Sequence, residues 1–310
     1  MKLPARTVLA PLCCLAALAA AAPTQAAQLM TRTLKDKPAI LVAAFGTSTK
    51  AQTTYDAFER QLKMALPGYE VRWAFTSEVI RERVNARRAK EGVPQRLLSL
   101  QQALADLEAE GYTQVAVEPL QIFPGEEYEE VVRLATGFPG LRIELGEPLL
   151  HRWETVRQVV GILSRDFLPP AEGCNVVVAH GSPQTAVGSN STYLGLDRYL
   201  SRRFPNAFLG CVEGIITRED ALETAKAHGG KRVRFIPLMF VAGDHVMSDI
   251  MGEDGGSGEP SWKAELTEAG KTVDIPMVQV DGKEQYRSLG LIPEINEVFI
   301  REIQKALGRL

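Results

Sequence analysis

CNVVVAHGSP, residues Cys174 to Pro183, is the stretch whose reading decides the fold. Its β-branched run Val176 to Val178 reads as a buried parallel strand that delivers His180 and Gly181 into a turn at its carboxyl end. Open α/β sheets place their ligands at such turns. A lone histidine there is more often structural than a ligand, so any chemistry depends on what else the chain brings to the same place.

Working outward, strand-like and helical runs alternate from Pro38 to the end, the pattern of a parallel α/β sheet. Downstream the sequence predicts a helix around Tyr193 to Phe204, a Pro205-Asn206 turn, a strand over Ala207 to Glu213, a helix over Arg218 to His228 and a strand over Val233 to Phe240. Upstream, Pro169 to Gly173 reads as a linker. The same order of elements precedes it: a strand entering a turn in AILVAAFGTS (Ala39 to Ser48), a helix from about Lys50, and a strand over Glu70 to Phe75. Helices over Ser77 to Arg88 and Pro94 to Glu110, a strand over Gln114 to Val117, a helix to Thr136, a strand over Leu141 to Leu145 and a helix over His151 to Phe167 complete that half.

Three matches make the repetition a duplication. ILVAAFGTS lies over VVVAHGSP, which sets Phe45 against His180 and Gly46 against Gly181. LPGYEVRWAFTS lies over FPNAFLGCVEG, which sets Pro67 against Pro205 and Phe75 against Glu213. VAVEPLQIFPGEEY lies over VRFIPLMFVAGDHV, which sets Pro119 against Pro237, Gly125 against Gly243 and Glu127 against His245. The expected fold is α/β: two pseudo-duplicated halves, residues 37–168 and 174–310, each a mainly parallel sheet flanked by helices, with a cleft between them.

In the second half every matched strand end carries a side chain able to hold a metal, His180, Glu213 and His245; the first half has Phe45, Phe75 and Glu127. Two imidazoles and a carboxylate suit a divalent transition metal with coordination positions left open. Aromatic rings opposite suit a flat, apolar ligand ringed by acids, which describes a tetrapyrrole. Each residue also has a structural reading. His180 and His245 could cap turns, and Glu127 could be one acid of a solvated helix face. Glu213, at the end of an apolar strand, needs a cation or a hydrogen-bond network. His151 and His228 are assigned to helix ends.

The amino terminus reads as a signal peptide over residues 1–26. Lys2 and Arg6 precede the apolar run Thr7 to Ala22, and small residues lead to a cut after Ala26 or Ala27. The expected location is the periplasm, with no membrane span in the mature chain. The formal net charge of −3 and the lack of a basic tract argue against nucleic acid as a partner. Beyond the leader only Cys174 and Cys211 remain, and they read as buried thiols that do not bridge.

AFGTS (Ala44 to Ser48), PLQIFPGEEY (Pro119 to Tyr128), VAHGS (Val178 to Ser182), CVEG (Cys211 to Gly214) and PLMFVAGDHVMSDIMG (Pro237 to Gly252) together resemble the class II tetrapyrrole chelatases. Within them the chain is similar to the CbiK-type anaerobic cobalt chelatases, or sirohydrochlorin cobaltochelatases. That resemblance implies two flavodoxin-like halves with the tetrapyrrole in the cleft. It implies His180, Glu213 and His245 as the metal set, Glu127 as an acid on the opposite side, and His180, His245 and Glu127 as the catalytic groups. Phe45 and Phe75, with Gly46 and Gly181, are expected against the ring. The substrates implied are sirohydrochlorin and Co²⁺, with Fe²⁺ or Ni²⁺ as alternatives, and a homo-oligomer is compatible with the sequence. Relatives commonly carry a histidine where this chain has Gln121, so bound haem is not expected.

A periplasmic metal or tetrapyrrole carrier without turnover is the competing reading. A hydrolase is disfavoured, because no H-E-x-x-H accompanies the ligands. Arg72, Arg81, Arg83, Arg87 and Arg88 are candidates for the substrate's carboxylates, and Gly252 to Pro260 is either a lid or an inert loop.

Overall fold

The computed structural model describes residues 33–252 and 260–310. Its first half runs β1 (Ala39–Ala44), α1 (Thr53–Ala65), β2 (Val71–Phe75), α2 (Glu78–Lys90), α3 (Leu100–Ala109), β3 (Gln114–Pro119), α4 (Glu126–Thr136), β4 (Arg142–Leu145) and α5 (Trp153–Leu163). The second runs β5 (Gly173–Ala179), α6 (Ser189–Arg203), β6 (Ala207–Cys211), α7 (Arg218–Ala227), β7 (Arg232–Pro237), α8 (Trp262–Glu268) and β8 (Thr272–Asp274). The hairpin β9 (Met277–Val280) and β10 (Lys283–Tyr286) and the long helix α9 (Pro293–Arg309) follow. The leader lies outside the described residues, as do positions 253–259 of the glycine-rich stretch.

Both four-stranded sheets are wholly parallel, in the orders β2-β1-β3-β4 and β6-β5-β7-β8. The central strands AILVAA and GCNVVVA are buried at every residue, because helices cover both faces of each sheet. Asn175 is the polar exception in β5. Its side chain takes the N–H of Leu168 at 2.7 Å and donates to the carbonyl of Leu168 at 3.1 Å, so the linker between the halves is tied to the strand it feeds. Side-chain caps set several helix starts. Ser77 accepts from Ile80 N–H at α2, and Ser99 with Gln102 and Thr217 with Asp220 form capping boxes at α3 and α7. The Ser99 box overrides Pro94 as the start of α3. Residues 94–98 instead run beside β2, where the carbonyl of Leu98 accepts from Phe75 N–H at 2.9 Å.

One hydrophobic core joins the halves, containing Ile40 and Val42 of β1, Val177 of β5 and Leu196 of α6. At its centre Phe58 of α1, Phe240 from the turn after β7 and Phe299 of α9 meet edge to face, with centroids 5.6 to 6.2 Å apart. Such pairs add about 0.5–1.5 kcal/mol beyond the area they bury. Asp281-Gly282 turns the β9–β10 hairpin with positive φ at both residues, 50° and 76°, as a tight hairpin with the strands' twist requires. Helix α9 then crosses back to pack on β3 and β4 of the first half. There Gln114 donates to the carbonyl of Leu310 at 3.1 Å, so the last residues of the chain complete the first sheet's cover. Cys174 and Cys211 are buried and unbridged, and burial pushes their thiols up to about 11 and about 12.

Candidate active site

The carboxyl ends of both sheets open onto one cavity of about 590 Å³ lined by residues of both halves. It is built on two copies of the same turn. After β1, Gly46 adopts φ +106° and its N–H donates to the Tyr55 hydroxyl of α1 at 3.1 Å. After β5, Gly181 adopts φ +90° and its N–H donates to the Tyr193 hydroxyl of α6 at 3.1 Å. Positive φ demands glycine at both positions. Burial pushes both phenols well above their usual range, which keeps them as neutral donor–acceptor groups. Each tyrosine also stacks on a phenylalanine of the opposite half: Tyr55 on Phe240 at 5.8 Å, Tyr193 on Phe123 at 3.9 Å.

On this shared frame the second half places its candidate ligands. The turns carrying His180 and Glu213 interlock: Glu213 N–H donates to the His180 carbonyl at 3.0 Å, and a Cβ on Gly181 would lie 1.7 Å from the Glu213 carbonyl oxygen. That clamp sets the side chains together, with His180 Nδ1 3.3 Å from Glu213 Oε1. His245 opens a π-helical turn, His245–Ile250, and its Nδ1 lies 2.7 Å from Asp249 Oδ2. The two imidazoles stand at 78° with centroids 4.9 Å apart. Asp249 at His245 Nδ1 fixes that ring's orientation and leaves Nε2 for a metal, whereas His180 Nδ1 lies near both the Gly181 carbonyl, at 3.4 Å, and Glu213. Among the described residues no three His, Cys, Asp or Glu side chains are already drawn into a closed metal-holding group. The donors gather at one end of an open cavity.

The wall of the same cavity includes Phe45, half exposed, and Glu127 in the first turn of α4. Glu127 lines the cavity, where desolvation of its carboxyl pushes it up to about 7, with Glu130 and Glu126 adding to the shift. Near neutral pH it therefore exchanges a proton readily. Gln121 is buried in the same wall, with neither atom of its amide hydrogen-bonded to protein.

Two expectations need correction. Phe75 does not face the cavity. It is buried beneath Gly46, stacked on Trp73 at 6.0 Å and edge-on to Tyr55 at 5.8 Å. The parallel register explains why: Ala44 pairs with Phe75 and Ala179 with Cys211. The counterpart of Glu213 is consequently Ser77, whose N–H donates to the Phe45 carbonyl as that of Glu213 does to His180. Strand β6 accordingly ends at Cys211, and Glu213 belongs to the turn beyond it. Matching Pro67 to Pro205 slips because the turn before β2 is longer than that before β6.

The arginines separate as well. Arg72 is held by Glu70 and Glu110, Arg81 by the carbonyls of Phe75 and Thr76, and Arg88 by that of Gln95. Arg83 alone of the five lines the cavity. Sequence reasoning passed over Tyr55, Tyr193 and Asp249. The tyrosines stand 9 and 12 residues after their glycines, an unequal spacing that hides the equivalence.

The profile of the cobalt chelatase (CbiK) family matches residues 38–308. The chain belongs to that family. This CbiK-family chain is 32% identical over 279 residues to the sirohydrochlorin cobaltochelatase of Salmonella typhimurium, covering 88% of this chain and 97% of that one. It is also 32% identical over 242 residues to the sirohydrochlorin cobaltochelatase CbiKC of Nitratidesulfovibrio vulgaris, covering 76% and 81%. Among solved structures, SirB from Bacillus subtilis with Fe³⁺ superimposes with a TM-score of 0.56 over 88% of this chain and 96% of that one. At 15% identity that likeness is one of fold, and the fold is the duplicated chelatase architecture described above.

Proposed function

We propose that the protein inserts a divalent metal, cobalt, into sirohydrochlorin. The observation that carries this reading is the meeting of His180, Glu213 and His245 at one end of a cavity walled by both halves, in a chain of the CbiK family. Insertion exchanges one divalent cation for two pyrrole protons, so the site must hold the ion, free it of water and receive protons. His180 and His245 offer imidazole nitrogen, and Glu213, beside His180, offers a carboxylate. The ion then has one face toward the macrocycle. Phe45 packs on the ring, and Glu127 takes a pyrrole proton, since a carboxyl near 7 is available as base at neutral pH. Acids around the cavity, Glu126, Glu127, Glu213 and Asp244, favour entry of a cation.

The direct test mixes purified protein, Co²⁺ and sirohydrochlorin without oxygen and follows the absorbance change of metallation. Binding without metallation would overturn the enzyme in favour of a carrier. Parallel runs with Fe²⁺ and Ni²⁺ assign the metal. Export to the periplasm is part of the same proposal, supported by Lys2, Arg6 and the apolar run Thr7 to Ala22; amino-terminal sequencing of the native protein checks it, expecting a start at residue 27 or 28. The protein is further proposed to work without haem, because Gln121 offers an amide where an imidazole would be needed. The absorbance spectrum of the purified native protein tests that point.

A further inference from the structure

Sirohydrochlorin carries carboxylate arms all round its ring, yet the charged side chains that line the cavity are mostly acids. Among the described residues of its wall, Arg83 is the one arginine or lysine. It sits on α2 one helical turn beyond Val79, and such positions share a face. Val79 is 62% exposed and Phe45 48%, so this edge of the cavity is an uncovered apolar ledge ending in a guanidinium. Arg83 donates one hydrogen bond, to Ser48 Oγ at 3.4 Å, and Arg87 behind it donates to the Ser48 carbonyl at 3.1 Å. Among the described residues neither makes an ion pair with a carboxylate, whereas Arg72, Arg152, Arg218, Arg232, Arg234 and Arg287 all do. A guanidinium has several donors in a planar fork, so most of Arg83's capacity remains unused.

We propose that Arg83, backed by Arg87, receives a peripheral carboxylate of the macrocycle and thereby sets which way the ring lies in the cavity. Resting on the chelatase reading, this inference adds a direction to it. The ring edge lies on Phe45 and Val79 with one acid arm on Arg83, and the acid-lined remainder of the cavity is left to the metal. An aspartate or glutamate at position 83 would repel the substrate where, among the described residues, the wall offers its one arginine or lysine.

The test compares wild type with Arg83→Ala, Arg83→Lys, Ser48→Ala and Arg88→Ala. The first readout is a titration with metal-free sirohydrochlorin, which needs no turnover. The expected result for Arg83→Ala is roughly tenfold or more weaker binding, the value of one charged hydrogen-bonded contact. Its KM for the macrocycle should rise to match while KM for Co²⁺ stays put, and the salt dependence of binding should flatten. Arg83→Lys recovers part of the loss; Ser48→Ala and Arg88→Ala bind as wild type. Unchanged titration by Arg83→Ala would overturn the proposal. So would an equal loss in Ser48→Ala, which would make Arg83 a tether for the 46–49 loop. Wild type that binds the macrocycle but never metallates it would count against the chelatase reading and leave the carboxylate contact standing.

Discussion

The two halves share their strand order, their glycine turns and their tyrosine locks, and differ in what stands on them. Where the second half has His180, the first has Phe45; where it has Glu213, the first has Ser77, spent on capping α2; where it has His245, the first has Glu127. The first half is thus a control that the molecule carries within itself. It folds the same turns without imidazole, so the histidines are not there for the fold. The shared glycine and tyrosine are.

The largest effect that would break this comparison lies at the histidines. His180→Phe copies the first half onto the second. It should fold with an unchanged melting temperature and lose roughly hundredfold or more in cobalt insertion, as should His245→Ala. A large fall in melting temperature would show that the halves are not interchangeable there. Next comes Glu127, the one acid the first half supplies in place of a ligand. Its raised carboxyl is the base only above about pH 7, so insertion in the wild type should rise with pH through that region. Glu127→Gln should remove that limb and slow insertion by roughly a hundredfold at high pH; a pH–rate profile decides, and an unaltered limb would assign it elsewhere.

Asp249 has no counterpart role in the first half. Asp249→Ala should weaken Co²⁺ binding about 10–100-fold, the usual cost of losing the carboxylate that orients a metal-binding histidine, measured by metal titration of the apo-protein. The smallest effects are at the paired tyrosines. Tyr55→Phe and Tyr193→Phe each remove one hydrogen bond to a glycine and should cost about 1 kcal/mol of stability in denaturant unfolding. Because only Gly181 neighbours the ligand turns, Tyr193→Phe should also slow insertion. Equal slowing by both would erase the distinction.

Much of this was legible in the chain. Ala39 to Ala44 and Val176 to Ala179 could be read as central strands because both faces are buried, leaving nearly unbroken apolar runs. The third match held because Pro119 and Pro237 occupy the same register position, each followed by a leucine whose N–H donates to the central strand. The second match slipped because alternating apolar residues do not fix a parallel register, and turn length does. Phe75 and Glu213 were paired on that slip. Asp249 was missed because DHVMSDI has no helix-cap or ligand motif to mark it as helical; once it is, the four-residue spacing sets its carboxylate beside His245. Asp281-Gly282 did carry a readable hairpin signal. The division of Arg72, Arg81, Arg83, Arg87 and Arg88 needed three dimensions: Glu110 and Ser48, which meet Arg72 and Arg87, are distant in sequence, Arg81 and Arg88 meet loop carbonyls five to seven residues away, and the cavity singles out Arg83.

The return of α9 to β3 and β4 bears on how the molecule is made. The first half is synthesised before the helix that covers its sheet. Glu118 on β3, buried and without a hydrogen-bond partner, has Glu302 and Lys305 of the same helix as its charged neighbours. The cover of the first sheet thus rests on contacts of long sequence separation, which form slowly. The halves therefore cannot be parted at the 169–173 linker without uncovering one face of the first sheet.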